Sequence, residues 1–325
     1  MKIKNLTRIL LGSIFLLTIF LASYTTARAF ERVKNPQMEI HNDFIVEPGK
    51  TEIFVNPGES VTKNIVITNR IGKSVKFKLT TEDMEGTNDP LSPIKLLGNE
   101  RGPYSLKDFI IPEINEFSLD PGERISIPVK VSVPVDAEPR GFYGALIVSN
   151  DPDVLENTDT PDTEGKTRIV SRIGSLFLLR INGLGKEEGA LEDFRILGPS
   201  KAFYESKPKG FEILFKNTGN VHLVPHGQIT IKNILGRDVG SIPVDAYFSM
   251  PDSIRYREVL WDEGTGLGRY TANLSLYPGY GSLNQEMSLS FWIIPWKILI
   301  IVFVGLILLI SLVYYILTRF EIKKK

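Results

Sequence analysis

Cysteine is absent from the 325 residues of this chain, and histidine occurs only three times. Without cysteine the chain can form no disulfide, no thiolate metal site and no thiol nucleophile. None of the histidines, His41, His222 and His226, lies in a G-x-S-x-G or H-E-x-x-H pattern. Because a nucleophilic triad normally takes its base from histidine, we predict that the protein is not an enzyme and has no catalytic residue and no cofactor.

Two of the histidines stand four residues apart in the stretch FKNTGNVHLVPHGQITIKN, residues 215–233. This spacing suggests a metal site, but Pro225 lies between the histidines and no carboxylate lies in the stretch to complete a ligand set. We favour the alternative, in which His222 and His226 occupy surface positions beside a turn, and we predict no metal site. The stretch itself is predicted to be a hairpin with an Asn-Thr-Gly-Asn turn.

Long apolar runs are confined to the two ends of the chain. Residues 1–29 carry a basic head, an apolar run and the small-residue pattern Ala27-Arg28-Ala29. This is the layout of a secretory signal peptide that is cleaved after Ala29. An uncleaved N-terminal anchor is the alternative interpretation.

The second apolar run predicts a transmembrane helix at residues 293–318, followed by a basic cytoplasmic tail at 319–325. Residues 298–317 contain no charge, and about 20 apolar residues are enough to cross the hydrocarbon core of a bilayer. By the positive-inside rule, the chain is then a single-pass protein of the cell membrane with its N-terminal domains outside the cytoplasm. Aromatic residues at the two edges of the helix are predicted to anchor it at the membrane interfaces: Trp292, Trp296, Tyr314 and Tyr315.

The charge of the chain is unevenly distributed. Lys+Arg and Asp+Glu each number 38 in the whole chain. Without residues 1–29 and 297–325, the counts become 29 and 37, so the exported part carries about −8. Because nucleic-acid binding depends on an excess of positive charge, we predict no nucleic-acid partner.

Between the two ends, apolar and polar residues alternate with a period of two, as in strands with one buried face. The runs VKFKLT, residues 75–80, and RISIPVKVSVP, residues 124–134, are clear examples. Pro128 falls on the polar face of the second run, which suggests an edge strand. No apolar stripe of helical spacing is long enough for a major helix. The predicted fold class is all-β, with two tandem Ig-like β-sandwiches and one C-terminal transmembrane α-helix.

We predict the first sandwich at residues 30–186 and the second at 187–290. The acidic stretch 151–166 is predicted to be a long exposed loop inside the first sandwich, and it lacks the D-x-D-x-D-G spacing of a calcium loop. The stretch VTKNIVITNRIGKSVKFKL, residues 61–79, repeats the order of the histidine stretch: strand, Asn, short turn with Gly, strand. The two sandwiches are therefore predicted to share one local hairpin.

The first sandwich resembles the peptidoglycan-binding domain of the WxL-interacting protein family of cell-surface proteins. In the block VPVDAEPRGFYGAL, Arg140 stands where that family more often has glycine. The resemblance implies a bacterial envelope protein that touches peptidoglycan or another surface protein, and the family also continues into a second sandwich, a transmembrane helix and a basic tail. The blocks that carry the resemblance are NPGESVTKNIVITNRIGKSVKFKLTTED, GPYSLKDFI, LDPGERISIPVKVSVPVDAEPRGFYGALIV and SRIGSLFLLRI, which cover most of residues 44–182.

The candidate ligand-binding residues are Tyr104, Arg140 and Tyr143. Phe142 and Tyr143 point to opposite faces of one predicted strand, so one is expected in the core and the other exposed, where a tyrosine can stack on a sugar ring. We predict a non-enzymatic, membrane-anchored binding, adhesion or scaffold protein that recognises peptidoglycan or another envelope protein. The first alternative is an assembly factor for surface proteins or pili that acts by β-strand augmentation. The second alternative is a surface glycosidase or protease.

Overall fold

The computed structural model describes residues 31–151, 170–199, 201, 203–262 and 266–319. Within this part, the chain forms nineteen strands and one helix. The predicted signal peptide, residues 152–166 of the predicted loop and residues 320–325 of the predicted tail lie outside the described residues.

The first domain consists of two sheets that enclose one hydrophobic core. Its strands are β1 (Glu31–Lys34), β2 (Phe44–Glu47), β3 (Lys50–Val55), β4 (Ser60–Asn69), β5 (Val75–Gly86), β6 (Ile94–Leu96), β7 (Ile110–Pro112), β8 (Glu116–Leu119), β9 (Glu123–Ser132), β10 (Gly141–Asp151) and β11 (Arg172–Ile181). One sheet has the order β1-β9-β4-β2, with β7 also paired to β9. The other has the order β3-β11-β10-β5-β6, with β8 also paired to β5. The alternating residues of the predicted strands, such as Phe77 and Ile127, fill the space between the sheets.

The second domain is also a pair of sheets. Its strands are β12 (Gly189–Ile196), β13 (Phe203–Tyr204), β14 (Gly210–Asn217), β15 (His226–Asn233), β16 (Asp238–Val244), β17 (Ser253–Leu260), β18 (Gly268–Tyr277) and β19 (Gln285–Ile293). The sheets have the orders β12-β14-β17 and β13-β19-β18-β15-β16. Trp261 lies at the centre of the core, in contact with the rings of Phe211, Tyr270 and Phe291. The all-β prediction with Ig-like sandwiches and one C-terminal apolar helix is confirmed.

The stretches 61–79 and 215–233, which share one sequence order, each connect two different sheets. The predicted hairpins are therefore wrong. β4 and β5 lie in different sheets of the first domain, and β14 and β15 lie in different sheets of the second. What the two stretches do share is a buried asparagine at the end of the first strand. Asn69 donates to the carbonyls of Lys73 and Leu119, and Asn217 donates to two carbonyls in the same way. Each asparagine also accepts the backbone N–H two residues later, so one local solution serves both domains.

Pro128 does not mark an edge strand. β9 pairs with β4 along one side, and on its other side β1 and β7 pair with its two ends. The carbonyl of Pro128 accepts a hydrogen bond from Glu113 beside β7, and a residue's nitrogen points to the same side of a strand as its carbonyl. Pro128 therefore lies between the parts of β9 that pair with β1 and with β7, where strand pairing does not require a backbone N–H.

The C-terminal helix α1 (Trp296–Arg319) follows β19 after only Ile294 and Pro295. It is 24 residues long, contains an 18-residue stretch with a mean hydropathy of 3.0 and has none of its residues buried. Its length and composition are sufficient to cross a membrane, consistent with the predicted single-pass anchor. All four predicted interface aromatics, which flank or belong to this helix, are exposed.

Candidate functional site

The three predicted ligand-binding residues lie together where the two domains meet. Tyr143 on β10 has no exposed surface. Its hydroxyl accepts the backbone N–H of His222 and lies 3.3 Å from Nδ1 of the same histidine. The prediction that Phe142 or Tyr143 is exposed is wrong. Phe142 is buried in the core of the first domain, and the second domain covers Tyr143. The ring of Tyr143 is therefore unavailable for stacking on a sugar.

His222 is the partner of Tyr143 in the second domain, and its predicted surface position is wrong because it is only 4% exposed. Burial lowers the pKa of His222 to about 4. Its ring is therefore neutral at pH 7, and Nδ1 can accept the tyrosine O–H. His226 is exposed as predicted, beside the ring of Tyr277. Across the described ranges, no group of three or more metal-ligating side chains is placed to hold an ion.

Tyr104 also contacts the second domain, and Arg140 packs beside it within the first. The hydroxyl of Tyr104 donates to Asp252 at 2.8 Å. Burial, with a contribution from that hydrogen bond, raises the pKa of Tyr104 to about 12. The Arg140 guanidinium lies 5.2 Å from the ring centre of Tyr104 and 4.9 Å from that of Phe142, and it donates to the carbonyl of Pro103. Both predicted ligand residues thus have partners within the chain.

A buried carboxylate positions the loop that carries Tyr104. Asp83 on β5 has no exposed surface and accepts backbone N–H bonds from Gly102, Leu106 and Lys107. The loop is also tied to β10, because the backbone N–H of Tyr143 donates to the carbonyl of Tyr104 at 2.8 Å. Backbone donors satisfy a buried carboxylate well, so Asp83 fixes the loop in the conformation that brings Tyr104 to the second domain.

A second region of close approach lies at the end of β5. A Cβ atom on Gly86 would lie 2.5 Å from Oγ of Ser253 and 2.6 Å from Cβ of Met250, so only glycine fits there. Beside it, the amide oxygen of Asn88 accepts the backbone N–H of Ile254 at 2.8 Å. The apolar part of the contact is a small separate cluster whose buried members are Met84, Tyr143, Leu178 and Met250. The domains are therefore held in one arrangement by packing and by directed hydrogen bonds.

β3 forms an open edge of the six-stranded sheet beside this contact. Among the described residues it pairs only with β11, and the chain enters it from β2 of the other sheet through a cis Glu47–Pro48 bond. The carbonyls of Gly49 and Val55 accept hydrogen bonds from the β11 side. Because the main-chain groups of a strand alternate in direction, those of Lys50, Glu52 and Phe54 point away from β11. We call this row the β3 edge.

The side chains of the β3 edge lie on the same face of the sheet as the contact with the second domain. Phe54 is 59% exposed, which is unusual for an aromatic residue on an edge strand without a partner. Lys50 and Glu52 form an ion pair at 2.6 Å. Lys50 also lies 5.5 Å from the ring centre of Phe248 in the second domain. The edge therefore borders the cleft between the two sandwiches.

Two arginines of β17 add positive charge at this cleft. The Arg255 guanidinium lies 5.7 Å from the ring centre of Phe248, the ring that Lys50 also approaches. Arg257, two residues along the strand, lies 5.8 Å from the ring centre of Tyr247. We call Lys50, Arg255 and Arg257 the cationic cluster.

The cationic cluster is incompletely neutralised. Arg257 has a distant carboxylate partner in Asp245 at 3.8 Å, whereas Arg255 forms no ion pair within the described residues. Burial, and then the charge of Arg257, lower the pKa of Arg255. The Nε atoms of both arginines and the hydroxyl of Tyr247 are buried and have no hydrogen-bond partner in the described part of the chain. The Arg255 side chain as a whole is only partly buried, so its guanidinium suits a carboxylate supplied from outside.

Sequence reasoning missed both the β3 edge and the cationic cluster. The alternation in KTEIFV, residues 50–55, indicates a strand with an apolar residue, Phe54, on its polar face. That anomaly was the available signal for the edge. Arg255 and Arg257 also alternate along one strand, but only the fold shows that they face aromatic rings of a neighbouring segment.

Comparisons with known proteins leave the family open. No protein-family model matches the chain, and no curated protein matches it. Among solved structures, the chain is similar to the class 5 fimbriae chaperone CfaA, with 13% identity, a TM-score of 0.37 and coverage of 78% of this chain and 100% of that one. It is similar to the CsuC–CsuE chaperone–tip adhesion subunit complex of Acinetobacter baumannii, with 14% identity, a TM-score of 0.35 and coverage of 76% and 97%. At this level of similarity, function has to be argued from the chain's own residues.

Proposed function

We propose that this protein is a non-enzymatic, membrane-anchored protein of the cell envelope that binds an extended segment of another surface protein along the β3 edge. The observation that supports this proposal is the row of main-chain groups at Lys50, Glu52 and Phe54, which have no strand partner among the described residues. An added strand would form main-chain hydrogen bonds with this row and would place alternate side chains beside Phe54.

The β3 edge suits strand addition better than two other long edges. β16 contains Pro243, which has no N–H to donate. On β17, the outward N–H of Ile254 is already bonded to Asn88 of the first domain. β3 has six residues, no proline and an exposed aromatic side chain.

The cationic cluster indicates the chemistry of the partner. A strand added to β3 would extend the sheet face that borders the cleft, which brings it towards Phe248 and Arg255. A carboxylate on the added segment would then meet an arginine that has no ion pair within the described residues. We therefore expect an extended segment with an acidic residue.

The peptidoglycan hypothesis and the resemblance to the WxL-interacting protein family both stay predictions. The residues we predicted to bind glycan, Tyr104, Arg140 and Tyr143, are packed against one another or against the second domain. The ring of Tyr143 is buried, and the ring of Tyr104 packs against Arg140 and Tyr143 at the place where a sugar ring was expected to stack. This favours the protein partner over the glycan.

The strand-addition proposal is tested by photo-crosslinking in cells that express the full chain. A photoreactive phenylalanine analogue replaces Phe54, and the same analogue at Ile111, which is 55% exposed on the other sheet, serves as the control site. Glu52→Pro removes an outward donor without touching the bonds to β11. Glu258→Pro is the matched change at an outward position of β17.

We expect a protein adduct at Phe54 that is absent at Ile111, lost with Glu52→Pro and kept with Glu258→Pro. An adduct that survives Glu52→Pro, with thermal unfolding of the variant unchanged, would show that the partner does not add a strand. In a second arm, the full chain is sedimented with purified peptidoglycan. Retention on peptidoglycan together with no adduct at Phe54 would indicate that the ligand is the glycan and not a protein segment.

A further inference from the structure

The register of the five-stranded sheet places several parts of the second domain level with the start of α1. Gly268, where β18 begins, pairs with Ile293, where β19 ends. β15 ends close by, because Asn233 pairs with Tyr270. The turn between β15 and β16, the start of β18 and the end of β19 therefore lie at one end of the domain, next to the helix.

Two further segments reach the same end. Phe203 of β13 pairs with Trp292, one residue before the end of β19. Leu260, the last residue of β17, precedes Trp261, whose ring contacts those of Tyr270 and Phe291. Both β13 and the end of β17 thus lie at the α1 end of the domain.

Nearly all exposed large apolar side chains of the second domain lie at this end. Ile234 and Leu235 form the tip of the β15–β16 turn and are 67% and 72% exposed, and Leu267 just before β18 is 59% exposed. Among the described residues of this domain, Leu283 alone lies at the opposite end, in the turn between β18 and β19. We call the following set the apolar foot: Phe203, Ile234, Leu235, Leu260, Leu267 and Trp292.

Cationic side chains accompany the apolar foot. Arg269 pairs with Trp292 across β18 and β19, and Arg237 follows the exposed turn tip. Lys207 lies 5.7 Å from the ring centre of Trp261, and Lys297 in the first turn of α1 pairs with Glu205 at 2.8 Å, so Arg237 and Arg269 are the cations on which the argument relies. Apolar and aromatic side chains ringed by lysine and arginine are typical of surfaces that lie at the level of lipid headgroups.

We propose that the apolar foot is a lipid-binding surface, so that the second domain rests on the bilayer instead of standing clear of it on α1. The occupant is the lipid surface because β19 runs into α1 with only two residues between them, which keeps the foot at the membrane entry point. The apolar tips enter the headgroup region, and the neighbouring cations contact lipid phosphates. This inference rests on the proposed membrane anchoring by α1.

The absence of cysteine allows single labels to be placed on the full chain. A fluorophore is attached to the variant Leu235→Cys at the foot and, in a separate protein, to Leu283→Cys at the far end. Both positions are exposed leucines in turns, so the two variants are matched. Leu299→Cys, in the first turns of α1, reports on the anchor. Each protein is reconstituted in phosphatidylcholine vesicles with spin-labelled lipid as quencher, with or without phosphatidylglycerol.

We expect the label at Leu235→Cys to lose emission to a degree comparable with Leu299→Cys, and Leu283→Cys to remain unquenched. Equal, weak quenching at Leu235→Cys and Leu283→Cys, with strong quenching at Leu299→Cys, would overturn the proposal that the apolar foot binds lipid. The membrane anchoring by α1 would still hold. No quenching at Leu299→Cys would overturn the anchor itself.

A second experiment tests whether the quenching depends on the apolar side chains of the foot and not on the attached label. Two proteins carry the fluorophore at Leu267→Cys, one of them with the additional changes Ile234→Asn and Leu235→Asn. We expect weaker quenching in the protein with the additional changes. Quenching that is unaffected by these changes would also overturn the proposal, because the turn tip would then not hold the domain to lipid.

Discussion

Tyr143 of the first domain and His222 of the second are joined by two hydrogen bonds inside the buried contact between the domains. The tyrosine oxygen accepts the histidine backbone N–H, and the imidazole Nδ1 lies 3.3 Å from the same oxygen. Both residues are buried, so neither group can turn to solvent when its partner is removed. The pair therefore couples the stability of the chain to the contact between its domains.

Tyr143→Phe should destabilise the chain by about 1 to 3 kcal/mol, because it leaves a buried backbone N–H without a partner while it keeps the aromatic packing. Urea unfolding of the detergent-solubilised chain, followed by tryptophan fluorescence, to which buried Trp261 contributes together with exposed Trp292 and Trp296, measures the effect. Tyr277→Phe is the control, since it removes a bond to Gly281 in an exposed turn and should cost about 0.5 kcal/mol or less. Equal losses for both variants would contradict a special role for the domain contact.

Acid should weaken the folded state through His222. Burial lowers the pKa of His222 from 6.5 to about 4, so between these values the unfolded chain takes up a proton that the folded chain excludes. The contribution is fully present above pH 6.5 and is lost as the pH falls towards 4, by roughly 3 kcal/mol in total. Unfolding free energies across this range should fall less steeply for His222→Gln than for the wild type. Exposed His226→Gln is the control for the loss of a histidine, and an identical slope in all three proteins would refute the assignment.

Gly86→Ala should loosen the two domains. The added methyl group would lie 2.5 Å from Oγ of Ser253, and overpacking of this kind costs about 1 to 3 kcal/mol. Limited proteolysis in the connection at residues 182–188 should become faster. Gly72→Ala is the matched control, because its methyl group would lie at an ordinary 3.5 Å from Ile40. Unchanged protection with Gly86→Ala would mean that the contact at β5 can move aside freely.

Asn69→Ala and Asn217→Ala should have similar effects in the two domains. Each removes three hydrogen bonds that tie a connection between sheets, and each leaves buried backbone groups unpaired, so we expect a loss of about 2 to 3 kcal/mol. Thermal or urea unfolding compares them with Asn233→Ala in an exposed turn, where the loss should stay below about 1 kcal/mol. A neutral result at one position only would show that the two connections are not equivalent.

The sequence was sufficient to predict strands and the face that each strand buries. The alternation of Phe77 and Leu79 or of Ile125 and Ile127 identifies core residues, and the structure buries all four. Alternation identifies a face but does not say which sheet a strand joins. For this reason a short turn after Asn69 or Asn217 suits a hairpin and a connection between sheets equally well.

The site was harder to predict because it depends on contacts between distant segments. Tyr143 lies on the outward face of its strand, as the pattern indicates, but the second domain covers that face. The charge of Arg255 becomes notable only because the described fold gives it an aromatic neighbour and no carboxylate. Neither property is contained in local spacing.

The two residues between β19 and α1 limit how freely the second domain can move relative to the helix that we propose as the membrane anchor. Ile294 is tied to β13, since its N–H donates to the carbonyl of Tyr204, and Trp296 bonds back to Ile294. The domains are also joined at Tyr143 and His222, so hydrogen bonds restrain the described chain at both junctions between α1 and β3. A partner would therefore encounter the β3 edge at a set height and orientation above the bilayer, and segments that pass at another height would go unrecognised whatever their sequence.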